Sequence, residues 1–320
     1  MNDFLKRIPI PAAGVALGLA ALGILLEPAA PAVHTLCGLC SLALMLLLAA
    51  RLACDPAGVR RDFDNPVLAS VSATFPMAAM QLSTYLAPVA PAPAFGVWAC
   101  AVAAHLALIA WFSVRHVRKF DLKKVYPTYF ICYVGIVVAS VTSPVYGMQN
   151  LGFALFVFGF ATYIVLLVAV TARYAKHPVE EGARPLFCIY TAPMSLSLAG
   201  YLAAAPAPDA AFACVLAACA QLLLVVVLVR LPHFLRLRFY PSYAAMTFPF
   251  VITATALWRT LALLDGAGIA YPTTLRMLAG AETALACAMV AYVFARYLME
   301  FARIARETAA GRAAEGVVAD

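Results

Sequence analysis

Few side chains able to move protons or hold charge interrupt the apolar stretches of this sequence. The clearest are His105, Arg259 and Glu282, each set among apolar neighbours. Ionisable groups inside apolar segments are costly, so they mark either a coupling site or a structural pair. We expect His105 to be a hydrogen-bonded structural histidine rather than a proton relay. We expect Glu282 to form a structural ion pair with Arg259 or Arg276 rather than to act as a coupling carboxylate.

Catalytic and metal-binding patterns are missing from the sequence. It has no H-E-x-x-H, no P-loop and no G-x-S-x-G. Its nine cysteines mostly stand alone in apolar segments, where thiols behave as small hydrophobic groups. Cys37 and Cys40 have the spacing of a redox motif, but no predicted strand or basic neighbour accompanies them. We therefore expect neither enzymatic activity nor a metal or other cofactor.

The composition is typical of an integral membrane protein. Hydrophobic residues make up 65% of the chain and charged residues 12%, with a mean hydropathy of +0.93. A soluble domain carries about 25% charged residues. The net charge of +7 is spread between apolar runs, so it does not indicate a nucleic-acid partner. The partner that the composition predicts is the lipid bilayer.

The elements that position the few polar groups are predicted to be ten membrane-spanning helices. Each apolar run is close to the 20 residues that cross a hydrocarbon core of about 30 Å. The predicted spans are 9–26, 32–51, 66–86, 95–114, 127–146, 150–172, 185–205, 209–229, 241–264 and 273–298. The first run resembles a signal peptide, but its two prolines and its glycines favour a packed helix.

Short outward connections predict that each odd span pairs with the next even span as an antiparallel hairpin. Residues 28–31, 88–94, 147–149 and 206–208 form four of these connections and are nearly uncharged. The sequence therefore predicts five hairpins in one transmembrane domain, residues 1–302. Residues 303–320 are predicted to form a short, frayed cytoplasmic tail.

Positive residues predict the orientation. Of the 22 lysines and arginines, 20 fall on one side of the predicted spans, and only Arg259 and Arg276 fall on the other. Positively charged loops stay on the cytoplasmic side. We therefore expect a multi-pass protein of the cell (inner, cytoplasmic) membrane with both termini in the cytoplasm.

A repeat of about 58 residues organises the chain. Thr-x-Pro occurs in three of the odd spans, and 56 positions separate Thr191 from Thr247 while 117 separate Thr74 from Thr191. The repeat length suits two helices. The odd spans carry prolines, whereas the interiors of the predicted even spans have none. Five kinked and five straight helices in alternation predict two concentric layers.

The kinked helices are expected to form the inner layer, because carbonyls freed by a kink need protein or water nearby. The predicted kinks are at Pro11, Pro76, Pro144, Pro193 and Pro249. Close packing of helices is the alternative explanation for these prolines. The odd spans are otherwise rich in hydroxyls, which makes Thr74, Thr191 and Thr247 candidates to line a central pore. A lining of hydroxyls and alanines gives weak sites that ions can leave as easily as they reach them.

At these residues the chain resembles a known family. Ten spans, prolines in the odd helices and the string Tyr243-Ala-Ala-Met-Thr-Phe-Pro249 are similar to the tellurite-resistance/dicarboxylate transporter (TDT) family. The opening Ile8-Pro-Ile-Pro11 supports the resemblance, which covers residues 5–300. The family includes the bacterial TehA channels, the yeast malate carriers and the plant guard-cell slow anion channels.

The resemblance implies a quasi-five-fold fold and a homotrimer in which each subunit has its own pore through five inner helices. It also implies that Phe248, on the ninth span, is the plug of the pore. The residue type alone would favour Phe248 as a core aromatic beside a proline. The fifth span departs from the pattern with Tyr133-Val134-Gly135, so its kink must come from Gly135 or from Pro144. Gly135 is therefore a further pore-lining candidate.

The sequence thus predicts a gated channel or facilitator for small inorganic anions or small carboxylates. Two alternatives stay open. A proton-coupled dicarboxylate (malate-type) or tellurite transporter requires a titrating group, for which Glu282 and His105 are the candidates. The second alternative, from a different functional class, is a membrane scaffold or sensor subunit that does not transport.

Overall fold

The computed structural model describes residues 2–118 and 120–319, and the side chains of residues 3–118 and 120–310. Lys119 and the side chain of Arg312, both among the positive residues counted above, lie outside this description, as does Asp320. The described chain is 83% helix and contains no strand. The prediction of an all-helical protein is therefore confirmed.

Seven helical stretches of the described chain are long and apolar enough to cross a membrane. They are Pro31–Cys54, Pro91–Val117, Gln149–Lys176, Glu181–Ala204, Ala210–Leu235, Pro241–Gly266 and Thr273–Ala310. Two shorter apolar stretches, Ala12–Leu26 and Val137–Tyr146, accompany them. Large apolar side chains such as Leu46, Val168 and Leu222 are exposed on these helices, as expected for helices that face lipid.

The individual helices divide into a continuous and an interrupted set. The α-helices are α1 (Asn2–Lys6), α2 (Ala12–Leu26), α3 (Pro31–Cys54), α4 (Pro56–Asp62), α5 (Pro66–Val71), α6 (Thr74–Leu86), α7 (Pro91–Phe112), α8 (Thr128–Tyr133), α9 (Val137–Thr142), α10 (Gln149–Lys176), α11 (Ala192–Ala204), α12 (Ala210–Leu235), α13 (Phe248–Gly266) and α14 (Thr273–Ala319). A π-turn, Ser113–Val117, ends α7. Short 3-10 helices are Leu122–Lys124, Ser143–Tyr146, Glu181–Thr191 and Pro241–Met246.

Local sequence explains where many helices start. Proline occupies the first turn of α3, α4, α5 and α7, where its missing N–H costs no hydrogen bond. Side-chain caps add to this: Asn65 accepts from the backbone N–H groups of Val67 and Leu68, and Asp209 accepts from that of Phe212. Each cap satisfies a donor that the first turn of a helix leaves unpaired.

A closed ring of five helices forms the inside of the molecule. We call α2, α6, α9, α11 and α13 the inner ring, because α2 packs on α6, α6 on α9, α9 on α11, α11 on α13, and α13 back on α2. The outer helices α3, α7, α10, α12 and α14 each pack on an inner helix beside them in the chain. In the inner stretches Glu181–Ala204 and Pro241–Gly266, 83% and 72% of the most apolar segment is buried, against 28–39% in the outer helices.

Two boundaries differ from the prediction. Helix α12 ends at Leu235 rather than near residue 229, so Pro232 lies inside an outer helix and these interiors are not free of proline. The last helix, α14, continues to Ala319, so the predicted frayed tail is helical up to that residue. Both differences lie at the end of the bundle that carries the basic residues, where an apolar run stops before its helix does.

Candidate functional site

A cavity of about 280 Å³ lies inside the inner ring. Its described lining comes from five stretches of chain, each of which leads into an inner-ring helix, and no outer helix contributes. These stretches correspond to the first, third, fifth, seventh and ninth predicted spans and keep those numbers. The lining residues are Pro11, Gly14, Leu17, Val67, Leu68, Val71, Thr74, Met77, Phe130, Ile131, Val134, Gly135, Gly182, Ala183, Leu186, Ile189, Ala192, Pro193, Leu196, Pro241, Ser242, Ala244, Ala245, Phe248 and Pro249. The cavity is therefore lined by five successive segments of the chain.

The lining is almost wholly apolar. Among the described lining residues none is acidic, basic or a histidine, and two carry hydroxyls, Thr74 and Ser242. Both hydroxyls are already used: that of Thr74 donates to the carbonyl of Val71 at 2.7 Å, and that of Ser242 donates to the carbonyl of Gly182 at 2.6 Å. A wall of this kind offers no strong site for an ion, so an ion in it would bind weakly.

The described lining of the cavity includes both exposed and buried residues. Pro241 at the start of the ninth stretch is exposed, whereas Phe248 is only 6% exposed and lines the cavity together with the buried Pro193 and Pro249. The neighbouring Phe250 is 1% exposed and does not line the cavity. Of these two aromatic residues, which are two positions apart, Phe248 lines the cavity and Phe250 is buried outside its lining.

The predicted kink prolines fall into three situations. Pro11, Pro193 and Pro249 line the cavity at the start of α2, α11 and α13. Pro76 is buried in the first turn of α6 but does not line the cavity. Pro144 is exposed in the 3-10 helix Ser143–Tyr146, at the far end of its stretch and away from the cavity.

The helix of the fifth stretch is interrupted at a point where there is no proline. Helix α8 ends at Tyr133 and α9 begins at Val137, and residues 134–136 between them form a break next to the cavity. A Cβ atom on Gly135 would lie 2.1 Å from the carbonyl oxygen of Ile131 and 2.6 Å from the sulfur of Met77. No side chain fits there without moving the backbone, so glycine is required by close approach.

The pore-lining threonine candidates have different roles. Thr74 lines the cavity, whereas Thr191 and Thr247 are fully buried and do not. The hydroxyl of Thr247 lies 2.7 Å from the carbonyl oxygen of Ala244 and 3.1 Å from that of Gly14 on α2. The hydroxyl of Thr191 lies 3.1 Å from the carbonyl oxygen of Pro249. These hydroxyls hold neighbouring segments together at the interruptions.

One residue important to the site carried no signal of that role in the sequence. A Cβ atom on Gly18 of α2 would lie 2.6 Å from the Cβ of Thr247 and 3.1 Å from the backbone nitrogen of Phe248. Helix α2 can approach the segment that carries Phe248 only because Gly18 has no side chain. A glycine in an apolar helix predicts close packing in general, but the sequence does not indicate that the segment packed against Gly18 is the one that carries Phe248.

His105 lies on the outer helix α7 and reaches the break in the fifth stretch. Its Nε2 is 2.8 Å from the carbonyl oxygen of Cys132. A carbonyl can only accept, so Nε2 carries the proton and donates it. The Nδ1 of the same ring is buried and has no hydrogen-bond partner among the described residues. The ring is fully buried and does not line the cavity.

The structure does not bring together the ion pair expected for Glu282. Arg276 pairs with Asp265 at 2.8 Å, and Arg259 donates to the carbonyl of Ala199 at 3.3 Å. Among the described residues no salt bridge joins Glu282 to either arginine. Its carboxylate is buried on α14 near Gln221 of α12, outside the cavity lining.

The described part of the chain has seven helices long and apolar enough to cross a membrane, and its inner ring encloses an apolar cavity, which is the architecture of a multi-pass membrane protein and is typical of channels and transporters. The chain belongs to the voltage-dependent anion channel family (SLAC1), whose sequence model matches residues 7–298. This family corresponds to the TDT family to which the sequence bears a resemblance, so that prediction is confirmed. No curated protein matches the chain. The family consists of channels and transporters rather than enzymes.

Proposed function

We propose that this protein is a gated channel or facilitator that passes small inorganic anions or small carboxylates through the inner ring, with Phe248 as the plug. One observation carries the proposal: five stretches of chain, and no outer helix, contribute the described lining of one cavity, and the buried ring of Phe248 is part of that lining. Membership of a voltage-dependent anion channel family supports an anion as the cargo.

The proposed arrangement in the membrane is ten spans in five hairpins. Seven are the long apolar helices, and three are shorter or interrupted stretches: α2, α5 with α6, and α8 with α9. Residues 1–302 would form the transmembrane domain and residues 303–320 a cytoplasmic extension. The protein would lie in the inner (cytoplasmic) membrane with both termini in the cytoplasm. The family resemblance further suggests a homotrimer with one pore per subunit.

The plug is needed for an energetic reason. Each monovalent anion that leaves an inside-negative cell gains about 2.3 kcal/mol per 100 mV of membrane potential. An open pore would dissipate this gradient. An apolar ring in a narrow apolar passage blocks ions sterically and by excluding water, and a change of its rotamer would open the passage. Because the described cavity wall carries no charge, pore width and backbone dipoles would then set selectivity.

The proposal is tested by Phe248→Ala, with Phe250→Ala as the matched control. Purified protein is reconstituted in planar bilayers, and chloride current is measured along with reversal potentials in an anion-replacement series. Removing the plug is expected to raise the current at least about tenfold, which corresponds to a barrier lowered by about 1.4 kcal/mol. Phe250→Ala removes a similar ring from a position outside the cavity lining and is expected to leave the current unchanged.

Two results would contradict the proposal. Equal currents for Phe248→Ala and wild type, in protein that elutes as a single folded species, would remove Phe248 from the gate. Absence of current from both, under every anion and voltage, would favour a scaffold or sensor subunit without transport.

The buried carboxylate of Glu282 favours a second candidate, a proton-coupled carrier of dicarboxylates or tellurite. Among the described residues the carboxylate has no ion pair, and the amide of Gln221 is the polar side chain beside it, an arrangement that suits a titrating group. Its position on an outer helix, away from the cavity, is less suitable for coupling. Uptake driven by a pH gradient in liposomes, retained by wild type and abolished in Glu282→Gln, would replace the channel with a carrier.

A further inference from the structure

A second cavity, of about 360 Å³, opens on the outer surface of the helix bundle. It lies between the end of α7, the connection that follows it, α8 and α10. We call it the lateral groove, and its described lining residues are Val117, Phe120, Val125, Tyr129, Tyr133, Ala161, Thr162, Val165, Leu166 and Ala169. It shares no lining residue with the central cavity.

The walls of the lateral groove suit a hydrocarbon chain. Val165 and Phe120 are 69% and 63% exposed, so the groove faces the surroundings of the bundle rather than its core. Of the three hydroxyls among its described lining residues, two are already satisfied and only that of Tyr129 is not: the hydroxyl of Tyr133 lies 2.6 Å from that of Ser113, and that of Thr162 lies 2.9 Å from the carbonyl oxygen of Gly159. The groove therefore has little to offer a polar solute and much to offer an acyl chain.

One end of the groove meets a basic segment. Arg115, Arg118, Lys123 and Lys124 lie in or beside the connection between α7 and α8 and are exposed. Arg115 pairs with Asp64 and Lys124 with Asp121. No described residue forms an ion pair with Arg118 or Lys123, so these two cations are available to an anion from outside the chain.

The buried Arg173 fixes the basic segment beside the groove. On α10, Thr162, Leu166 and Ala169 line the groove, and Arg173 follows one turn later on the same face; from Thr162 to Arg173 is about 16 Å along a helix with a 1.5 Å rise. The Arg173 guanidinium donates to the hydroxyl of Tyr126 at 2.8 Å and to the carbonyl of Lys123 at 3.4 Å. The connection is thus held where α10 leaves the apolar groove.

We propose that the lateral groove binds an anionic phospholipid, with an acyl chain along Thr162, Leu166 and Ala169 and the phosphate at Arg118 and Lys123. Basic clusters immediately beside membrane helices and basic pockets between helices recognise anionic headgroups. The apolar groove binds an acyl chain, and a free phosphate has no acyl chain. The two unpaired cations select a net negative charge, and a zwitterionic lipid has no net charge. This site is independent of the central cavity and of any transport through it.

Native mass spectrometry of the purified protein in neutral detergent tests the proposal. Phosphatidylglycerol, phosphatidylcholine and glycerol 3-phosphate are titrated separately, and the bound fraction of each is measured. We expect phosphatidylglycerol to bind at least about tenfold more tightly than phosphatidylcholine, since each basic residue near the headgroup raises the affinity for an anionic lipid by roughly tenfold or less.

Glycerol 3-phosphate is expected not to bind. Equal binding of the two lipids would overturn the charge-based assignment, and tight glycerol 3-phosphate binding would overturn the role of the groove.

Two variants locate the site. Arg118→Gln with Lys123→Gln removes the two cations and is expected to weaken phosphatidylglycerol binding by roughly 10- to 30-fold; Arg236→Gln, an exposed arginine at the end of α12, is the matched control and is expected to have no effect. Ala169→Phe fills the groove and should weaken binding, whereas Ala154→Phe, exposed on α10 outside the groove, should not.

A second copy of this chain is the competing occupant. A photo-crosslinking side chain at Val165 should react with phosphatidylglycerol if the groove holds lipid. A protein–protein crosslink through Val165, with phosphatidylglycerol binding unchanged in Ala169→Phe, would make this surface a subunit interface and overturn the lipid assignment.

Discussion

The helices of the fifth and the ninth stretches are both interrupted beside the central cavity, but the two interruptions differ in chemistry. The ninth is interrupted at Thr247, immediately before Phe248 and Pro249. The fifth is interrupted at residues 134–136, which contain a glycine and no proline. We call these the proline break and the glycine break. Their difference shows what a helix interruption in an apolar protein requires.

At the glycine break, the hydrogen-bond partner comes from outside the inner ring. The N–H groups of Val134 and Gly135 both bond to the carbonyl of Phe130, at 2.8 and 3.2 Å. The carbonyl of Cys132 is left for a side chain, and His105 of the outer helix α7 donates to it. The first stretch has a similar arrangement, since the buried Arg51 of α3 donates to the carbonyl of Ile8.

At the proline break, the partners belong to the inner ring itself. Thr247 bonds to carbonyls of its own stretch and of α2. Just beyond the break, the hydroxyls of Thr191 and Thr253 donate to the carbonyl of Pro249 at 3.1 and 2.8 Å, and the hydroxyl of Ser195 lies 3.0 Å from that of Thr253. Proline interrupts a helix by itself because it has no N–H to donate, whereas glycine only permits an interruption. The glycine break therefore depends on its surroundings more than the proline break does.

Gly135→Ala is expected to have the largest effect on stability. The added Cβ would meet the Ile131 carbonyl, which cannot move without moving the helix, and overpacking of this kind costs about 3 kcal/mol at the upper end of its usual range. The measurement is the thermal unfolding midpoint of the purified protein in detergent, together with its elution as a folded species.

Gly280→Ala is the matched control for this substitution. A Cβ on Gly280 of α14 meets nothing within 4 Å, and alanine is a better helix former than glycine by about 1 kcal/mol. We expect the control to leave the midpoint unchanged or raise it. If Gly135→Ala behaved like Gly280→Ala, the glycine break would not be sterically specified.

His105→Leu is expected to have the next largest effect. It leaves the carbonyl of Cys132 buried without a donor, which costs on the order of 1.5 kcal/mol for a hydrogen bond between membrane helices. His105→Gln retains an N–H donor and should recover part of the loss. A midpoint in His105→Leu as high as in wild type would mean that the glycine break needs no partner from the outer layer.

The sequence predicted the inner layer better than it predicted the contacts within it. The Thr-x-Pro strings of the third, seventh and ninth stretches all lie at interruptions next to the cavity, because proline acts on its own helix and leaves a local signal. The missing string in the fifth stretch left two candidates, and the structure places the interruption at Gly135 rather than at the exposed Pro144.

Partners from other helices had no comparable signal. His105 and Arg51 reach carbonyls 27 and 43 residues away in the chain. Glu282 was expected beside an arginine, but the arginines bond to Ala199 and Asp265 instead. Spacing within one helix reports which residues share a face, and it carries no information on which helix lies opposite. The set of buried polar residues was therefore visible in the sequence, while their pairing required the fold.

Thr191→Val is expected to have the smallest effect, because the hydroxyl cluster at the proline break is redundant. When Thr191 is lost, Thr253 still donates to the carbonyl of Pro249 at 2.8 Å, so the cost should be about 0.6 kcal/mol or less. Thr253→Val alone should cost a similar amount. The double variant removes both hydroxyls and should lower the unfolding midpoint by more than the two single changes together, since residues of one network are not additive. Strict additivity would show that the two hydroxyls act separately, and the proline break would then depend on single partners just as the glycine break depends on His105.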